Sequence, residues 1–145
     1  MTLEKTIWID APIAVVHSYF TESDKMSRWA GIGAKLDPVP GGIYRLDMGK
    51  AGIMEGRFVE VSESRIVQEI DAPDGGAPSR IEITLTEEAG GCRVAIRHEG
   101  LVSPFDRIAS RGWDHHLARL SVVATGGAAS ADSLCTKPMS ALMDG

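Results

Sequence analysis

A chain of 145 residues, 43% hydrophobic and 24% charged, carries one domain's worth of sequence and enough apolar material for a single core; disordered, collagen-like and coiled-coil classes are excluded. A formal charge of −5 with no cluster of Lys and Arg argues against nucleic acid, because phosphate backbones are held by grouped cations. No apolar run reaches the roughly 20 residues that span a bilayer, and the start MTLEKTIWIDAP lacks a secretory apolar region, so no membrane association is expected. Cys92 and Cys135 lie far apart and form neither a disulfide framework nor a CxxC metal motif, so a reducing cytoplasm is the expected location.

Residues 3–10, LEKTIWID, alternate Leu3, Lys5, Ile7 and Ile9 against Glu4, Thr6, Trp8 and Asp10, which is the period of a strand. Asp10 is expected to cap a helix running from Pro12 to Phe20. Thr21 with Asp24 reads as a capping box for a second short helix through Trp29, ended by Gly31. From Gly41 to Glu99 come the strand-like runs IYRLDM, GIMEGRFVEV, RIVQEI, SRIEITLTE and CRVAIRHE, separated by the turn clusters VPGG, KAG, APDGGAP and EEAGG. Short turns imply antiparallel neighbours. In SRIEITLTE, Ile81, Ile83 and Leu85 share one face, with Glu82, Thr84 and Thr86 on the wet one. In GIMEGRFVEV the phase is ambiguous; Phe58 is taken as the inward aromatic, Glu55 and Arg57 go to solvent, and Glu60 falls on the side of Phe58 near the rim.

A last helix runs from Ser103 to about Thr125, with Ser103 as cap, Pro104 in the first turn, Asp106 three residues after the cap, and Gly126-Gly127 as terminator. At 1.5 Å per residue it is about 30 Å long, enough to cross a sheet. The weakly patterned tail reads as loop with one turn at PMSALM. The expected organisation is a domain over residues 1–125 and a tail over 126–145. One strand, two short helices, five or six antiparallel strands and a long helix make an α+β fold with helices on one face of the sheet.

The stretch GWDHHL places two histidines side by side. Phe105, Ile108, Trp113, His116, Leu117 and Leu120 form one apolar helical stripe that includes His116. His115 is turned about 100° away, toward water between Arg111 and Arg119; adjacent helical residues do not face each other, so the pair is not expected to hold one metal ion. His98 follows Cys92, Val94 and Ile96 inward on its strand, whereas His17 has no chelating partner in sequence and reads as structural. Asp114 is too far round the helix to orient His116. No GxSxG, HExxH, P-loop or GxGxxG occurs, and Cys92 reads as a strand-start filler, so no catalytic residue, cofactor or metal is assigned.

IDAP with Val15, Val16 and Phe20, then Trp29-Ala30-Gly31, VPGGIYRL, EGRFVEV, EEAGGCRV with HEGL, and the Gly112-Trp113 pair together resemble the activator of heat-shock protein 90 ATPase homologue (Aha1-like) family of the SRPBCC, or START-like, superfamily, over about residues 3–124. The resemblance implies a helix-grip fold, in which a curved antiparallel sheet wraps a long C-terminal helix and leaves a cavity between them. Superfamily members bind lipids, sterols and polyketides, and some catalyse cyclisation or hydrolysis, without a shared catalytic residue. The eukaryotic chaperone activator also carries a separate N-terminal domain, while this chain opens on its first strand, which counts against a chaperone contact.

The leading expectation is therefore a protein that binds a small apolar or aromatic molecule in a cavity lined by Trp29, Tyr44, Phe58, His98, Phe105, Trp113 and His116. The alternatives are a cyclase or hydrolase using His116 or His98 as general base, and an interaction protein, either chaperone-associated or a homodimer formed through the tail.

Overall fold

The computed structural model describes residues 2–136, 138 and 139. Its elements run β1 (Thr2–Ile9), α1 (Ile13–Thr21), α2 (Ser23–Met26), β2 (Gly33–Leu36), β3 (Ile43–Asp47), β4 (Ile53–Val61), β5 (Arg65–Ile70), β6 (Ser79–Glu88), β7 (Gly91–Glu99) and α3 (Phe105–Ala124). Short 3-10 turns add Gly49–Ala51 and Ser133–Thr136. All seven strands form one antiparallel sheet in the order β1-β7-β6-β5-β4-β3-β2. The chain meanders from β2 to β7, and β1 lies beside β7. The sheet curves around α3, which gives the helix-grip architecture; β2 lies N-terminal to the stretch expected to hold the later strands.

The alternation read from sequence sets the inner face. Ile81, Ile83 and Leu85 of β6 and Val94 and Ile96 of β7 are almost fully buried, against Leu117, Leu120 and Val123 of α3 and Val16 and Phe20 of α1. Each such side chain contributes roughly 1.5–3 kcal/mol through burial. Between β6 and β7 the hairpin turns on Ala89 (φ 50°) and Gly90 (φ 79°), both left-handed as a two-residue turn that matches strand twist requires. The Trp8 ring lies where a side chain at Gly91 would stand, and its Nε1 donates to the Glu88 carbonyl at 2.7 Å, so this turn is clamped by β1.

The phase of β4 resolves through a bulge between Phe58 and Glu60. Phe58 points inward and is fully buried; the extra residue then turns Glu60 out to pair with Arg65 at 2.6 Å, rather than leaving it on the side of Phe58 as simple alternation implied. Gly56, two residues earlier, lies so close to β5 that a Cβ would overlap the Glu69 carbonyl.

The helix starts differ from the expected caps. α1 begins after Pro12 with no side-chain cap, because Ala11 N–H donates to Ile9 C=O at 2.8 Å in a tight turn and leaves Asp10 too early in the chain. Thr21 closes α1, its hydroxyl donating to His17 C=O at 3.1 Å, and α2 has no capping side chain and only four residues. α3 starts at Phe105, where the Val102 carbonyl accepts from both Phe105 N–H and Asp106 N–H and takes the donors that the Ser103 side chain was expected to serve. Its end follows expectation: Gly126, at φ 95°, and Gly127 donate to the Val123 and Val122 carbonyls.

The described part of the tail packs against the domain. Asp132 and Cys135 are buried, and the Cys135 carbonyl approaches Gly49. The expected turn at PMSALM falls mostly outside the described residues.

Candidate functional site

α3 is packed unevenly. All its buried residues, His116, Leu117, Leu120, Val123 and Ala124, belong to its second half. The first half stands off the sheet, and a cavity of about 660 Å³ opens beneath it. α3 contributes Phe105, Ile108, Trp113 and His116 to the walls. The sheet contributes Tyr44, Leu46, Ile70, Ser79, Ile81 and His98. Met26 and Trp29 close one side, and Leu134 and Met139 bring the tail to the rim.

Of the residues expected to form such a cavity, Trp29, Tyr44, His98, Phe105, Trp113 and His116 line it. Phe58 does not. It lies beneath the wall, fully buried, with its ring edge-on to Tyr44 at 5.9 Å, because the strand face that carries it is already covered at that point. Trp29 is anchored through Nε1–H to the Tyr19 carbonyl at 2.9 Å and stacks edge-on with Phe20 at 5.2 Å.

Two hydrogen-bond assemblies flank the cavity. In the first, Trp113 Nε1–H donates to His98 Nδ1 at 3.1 Å and His98 Nε2 bonds Ser79 Oγ at 2.9 Å. Burial pushes the His98 imidazole down to about 4, so the ring is neutral near pH 7. Tyr44, buried and with its phenol pushed up by desolvation, also faces this space.

The second assembly corrects the reading of the histidine pair. His115 does not simply face water: its Nε2 bonds Asp132 Oδ1 at 2.8 Å, while His116 Nε2 meets Asp132 Oδ2 at 2.7 Å. The rings meet edge-on with centroids 4.8 Å apart. Helical spacing alone said that adjacent histidines cannot address one point; a carboxylate from outside the helix supplies that point, and the three ligating atoms lie within 4.8 Å of one another. Each is engaged in a hydrogen bond. His116 Nδ1–H donates to Gly112 C=O at 2.9 Å, and Asp132 also accepts from Gly31 N–H at 3.2 Å and Leu134 N–H at 3.1 Å. Arg119, bound to the Trp29 and Ser130 carbonyls, stands 4.0 Å from the same carboxylate. Burial lowers His116 against the pull of Asp132; desolvation would raise Asp132, but the two imidazoles and the Leu134 amide hold it well below the usual carboxylate range.

Ser79 and Asp132 are the site residues that sequence reasoning missed. Ser79 was within reach, since the alternation of Ile81, Ile83 and Leu85 extends back to it. Asp132 carried no signal, because the tail has no period. His17, read as structural, binds the Ser62 carbonyl at 2.9 Å and ties α1 to the β4–β5 turn.

The family profile described as activator of Hsp90 ATPase homolog 1-like protein matches residues 10–125. The chain belongs to this family. Among solved structures, the AHSA1-like protein RHE_CH02687 (1-152) from Rhizobium etli is 30% identical, with 92% of this chain and 87% of that one covered and a TM-score of 0.70. Two others share the fold at lower identity. The Aha1 dimer from Colwellia psychrerythraea is 15% identical over 88% of this chain and 98% of that one, with a TM-score of 0.76. PFC0360w, an HSP90 activator from Plasmodium falciparum, is 20% identical over 86% and 96%, with a TM-score of 0.73. No curated protein sequence matches the chain. Among the described residues no helix is long and apolar enough to cross a membrane.

Proposed function

We propose that this member of the family is a binding protein for one small, mainly apolar or aromatic molecule, held between α3 and the sheet in a reducing cytoplasm. The observation that carries the reading is the cavity of about 660 Å³, within the range of small-molecule sites and lined by aromatic and aliphatic side chains with a few polar groups. Trp29 and Trp113 in its wall report occupancy. Titration of tryptophan fluorescence with a panel of fatty acids, sterols and aromatic compounds is expected to give saturable quenching with one-to-one stoichiometry. Failure of every compound to saturate overturns the proposal.

A hydrolase or cyclase with His98 or His116 as general base has less support. A base needs a ring nitrogen free to take the reacting proton. Here both nitrogens of each ring already bond protein groups. The chaperone-associated reading draws on the family and on the Plasmodium protein alone; under the binding-protein reading, adding the chain to heat-shock protein 90 leaves its ATPase rate unchanged. The Colwellia dimer makes a homodimer a reasonable assembly, which light scattering measures directly.

A further inference from the structure

The chain Trp113–His98–Ser79 has a direction. An indole N–H can only donate, so His98 Nδ1, 3.1 Å away, must be the unprotonated nitrogen of the ring. The ring proton then sits on Nε2 and points at Ser79 Oγ, 2.9 Å away, which accepts it. A serine hydroxyl that accepts keeps its own proton to give. Ser79 is buried in the cavity wall, and His98 is its only side-chain hydrogen-bond partner among the described residues. The same direction makes Ser79 a poor nucleophile, since a histidine that presents N–H cannot remove the hydroxyl proton.

A second hydroxyl faces the same space. Tyr44 is 3% exposed, lines the cavity, and its phenol has no hydrogen-bond partner among the described residues. Through the pairings Tyr44↔Gly56, Gly56↔Ile70 and Ile70↔Ser79, it stands in one cross-strand row with Ser79. Three strand spacings separate the two, about 14 Å between backbones. A hydroxyl that faces the cavity without a protein partner is free to bond a molecule held there.

Resting on the binding reading above, we infer that Ser79 is the specificity-determining contact of the cavity, a directed hydrogen-bond donor that selects apolar molecules bearing an acceptor oxygen of the carbonyl type over those bearing none. Trp113 and His98 are positioning residues that set the direction of that donor. Molecules that offer only N–H groups and no acceptor leave the Ser79 proton without a partner.

Benzophenone and diphenylmethane test this, because they share a skeleton and differ only in a carbonyl replaced by methylene. Dissociation constants from NMR titration are expected to favour the ketone by about threefold to tenfold in the wild-type protein, the worth of one net hydrogen bond. In Ser79→Ala the ratio falls to about one. Equal affinities in the wild type, or a preference that survives Ser79→Ala, overturn the assignment while leaving the cavity reading intact. Binding of neither compound overturns the assignment, while the cavity reading stands or falls on the wider panel. A measurement on the wild type alone adds a check free of folding effects: long-range proton–nitrogen correlation of the His98 ring is expected to show the proton on Nε2, and a proton on Nδ1 overturns the inference.

Discussion

His98 is neutral in a wall that is otherwise mostly apolar, and its titration has a predictable cost. Its folded-state value near 4 lies below the 6.5 of an exposed imidazole, so protonation favours the unfolded chain. The stability tied to neutral His98 is therefore complete above pH 6.5 and is lost as pH falls toward 4. Between pH 7 and pH 5 the loss is about 2 kcal/mol, and urea denaturation at the two pH values should show it in wild type and much less in His98→Gln. Gln68 makes the opposite case. It is 2% exposed on the inner face between Phe58 and Ile81, and its Nε2 has no hydrogen-bond partner among the described residues. Gln68→Met keeps the shape and removes the stranded donor, so the unfolding free energy is expected to rise by about 1 kcal/mol in the same assay.

At the scale of elements, one buried carboxylate ties the tail to two parts of the domain. Asp132 joins the 3-10 turn Ser133–Thr136 to α3 through His115 and His116 and to the segment after α2 through Gly31. Its carboxyl lies below the usual range, so the carboxylate's own share of the latch is present above about pH 4 and is lost as pH falls further. Asp132→Asn sets an NH₂ group against one of the histidines in a site where the side chain is 1% exposed. A loss of roughly 3 kcal/mol is expected, together with faster amide exchange in Ser133–Thr136. Unchanged exchange there would mean that the tail is held by packing of Leu134 and Cys135 instead.

For the whole molecule, the cavity exists because two parts of one sheet are filled unequally. The β1–β7–β6 side is packed by α1 and the second half of α3, while on the other side the first half of α3, the Met26–Trp29 segment and the tail enclose a space instead of filling it. Gly112 sits at that transition, and among the described residues a Cβ added there meets no atom beyond its own stretch of helix within 4 Å. Glycine inside a helix is unfavourable relative to alanine, so Gly112→Ala should stabilise by about 0.5–1 kcal/mol, read as a higher melting temperature. Gly112→Phe extends into the cavity; it is expected to leave the fold intact by circular dichroism and to abolish the saturable quenching described above.

The amino-acid sequence by itself determined the order of the elements apart from β2, the antiparallel sheet, the inward faces of β6, β7 and α3, and the glycine end of α3. Those features follow from local periodicity and turn chemistry, which act over a few residues. Most of the expected wall was legible for the same reason: His98 continues the alternation of Val94 and Ile96, and Trp113 and His116 continue the stripe of Leu117 and Leu120. Only the tertiary structure decided the rest. The caps expected of Asp10 and Ser103 went to backbone carbonyls, the bulge in β4 reversed Glu60, and Asp132 drew two histidines together across 16 and 17 residues of chain. Each depends on which groups meet after the sheet has curved around its helix, and contacts of that kind leave no period in a sequence.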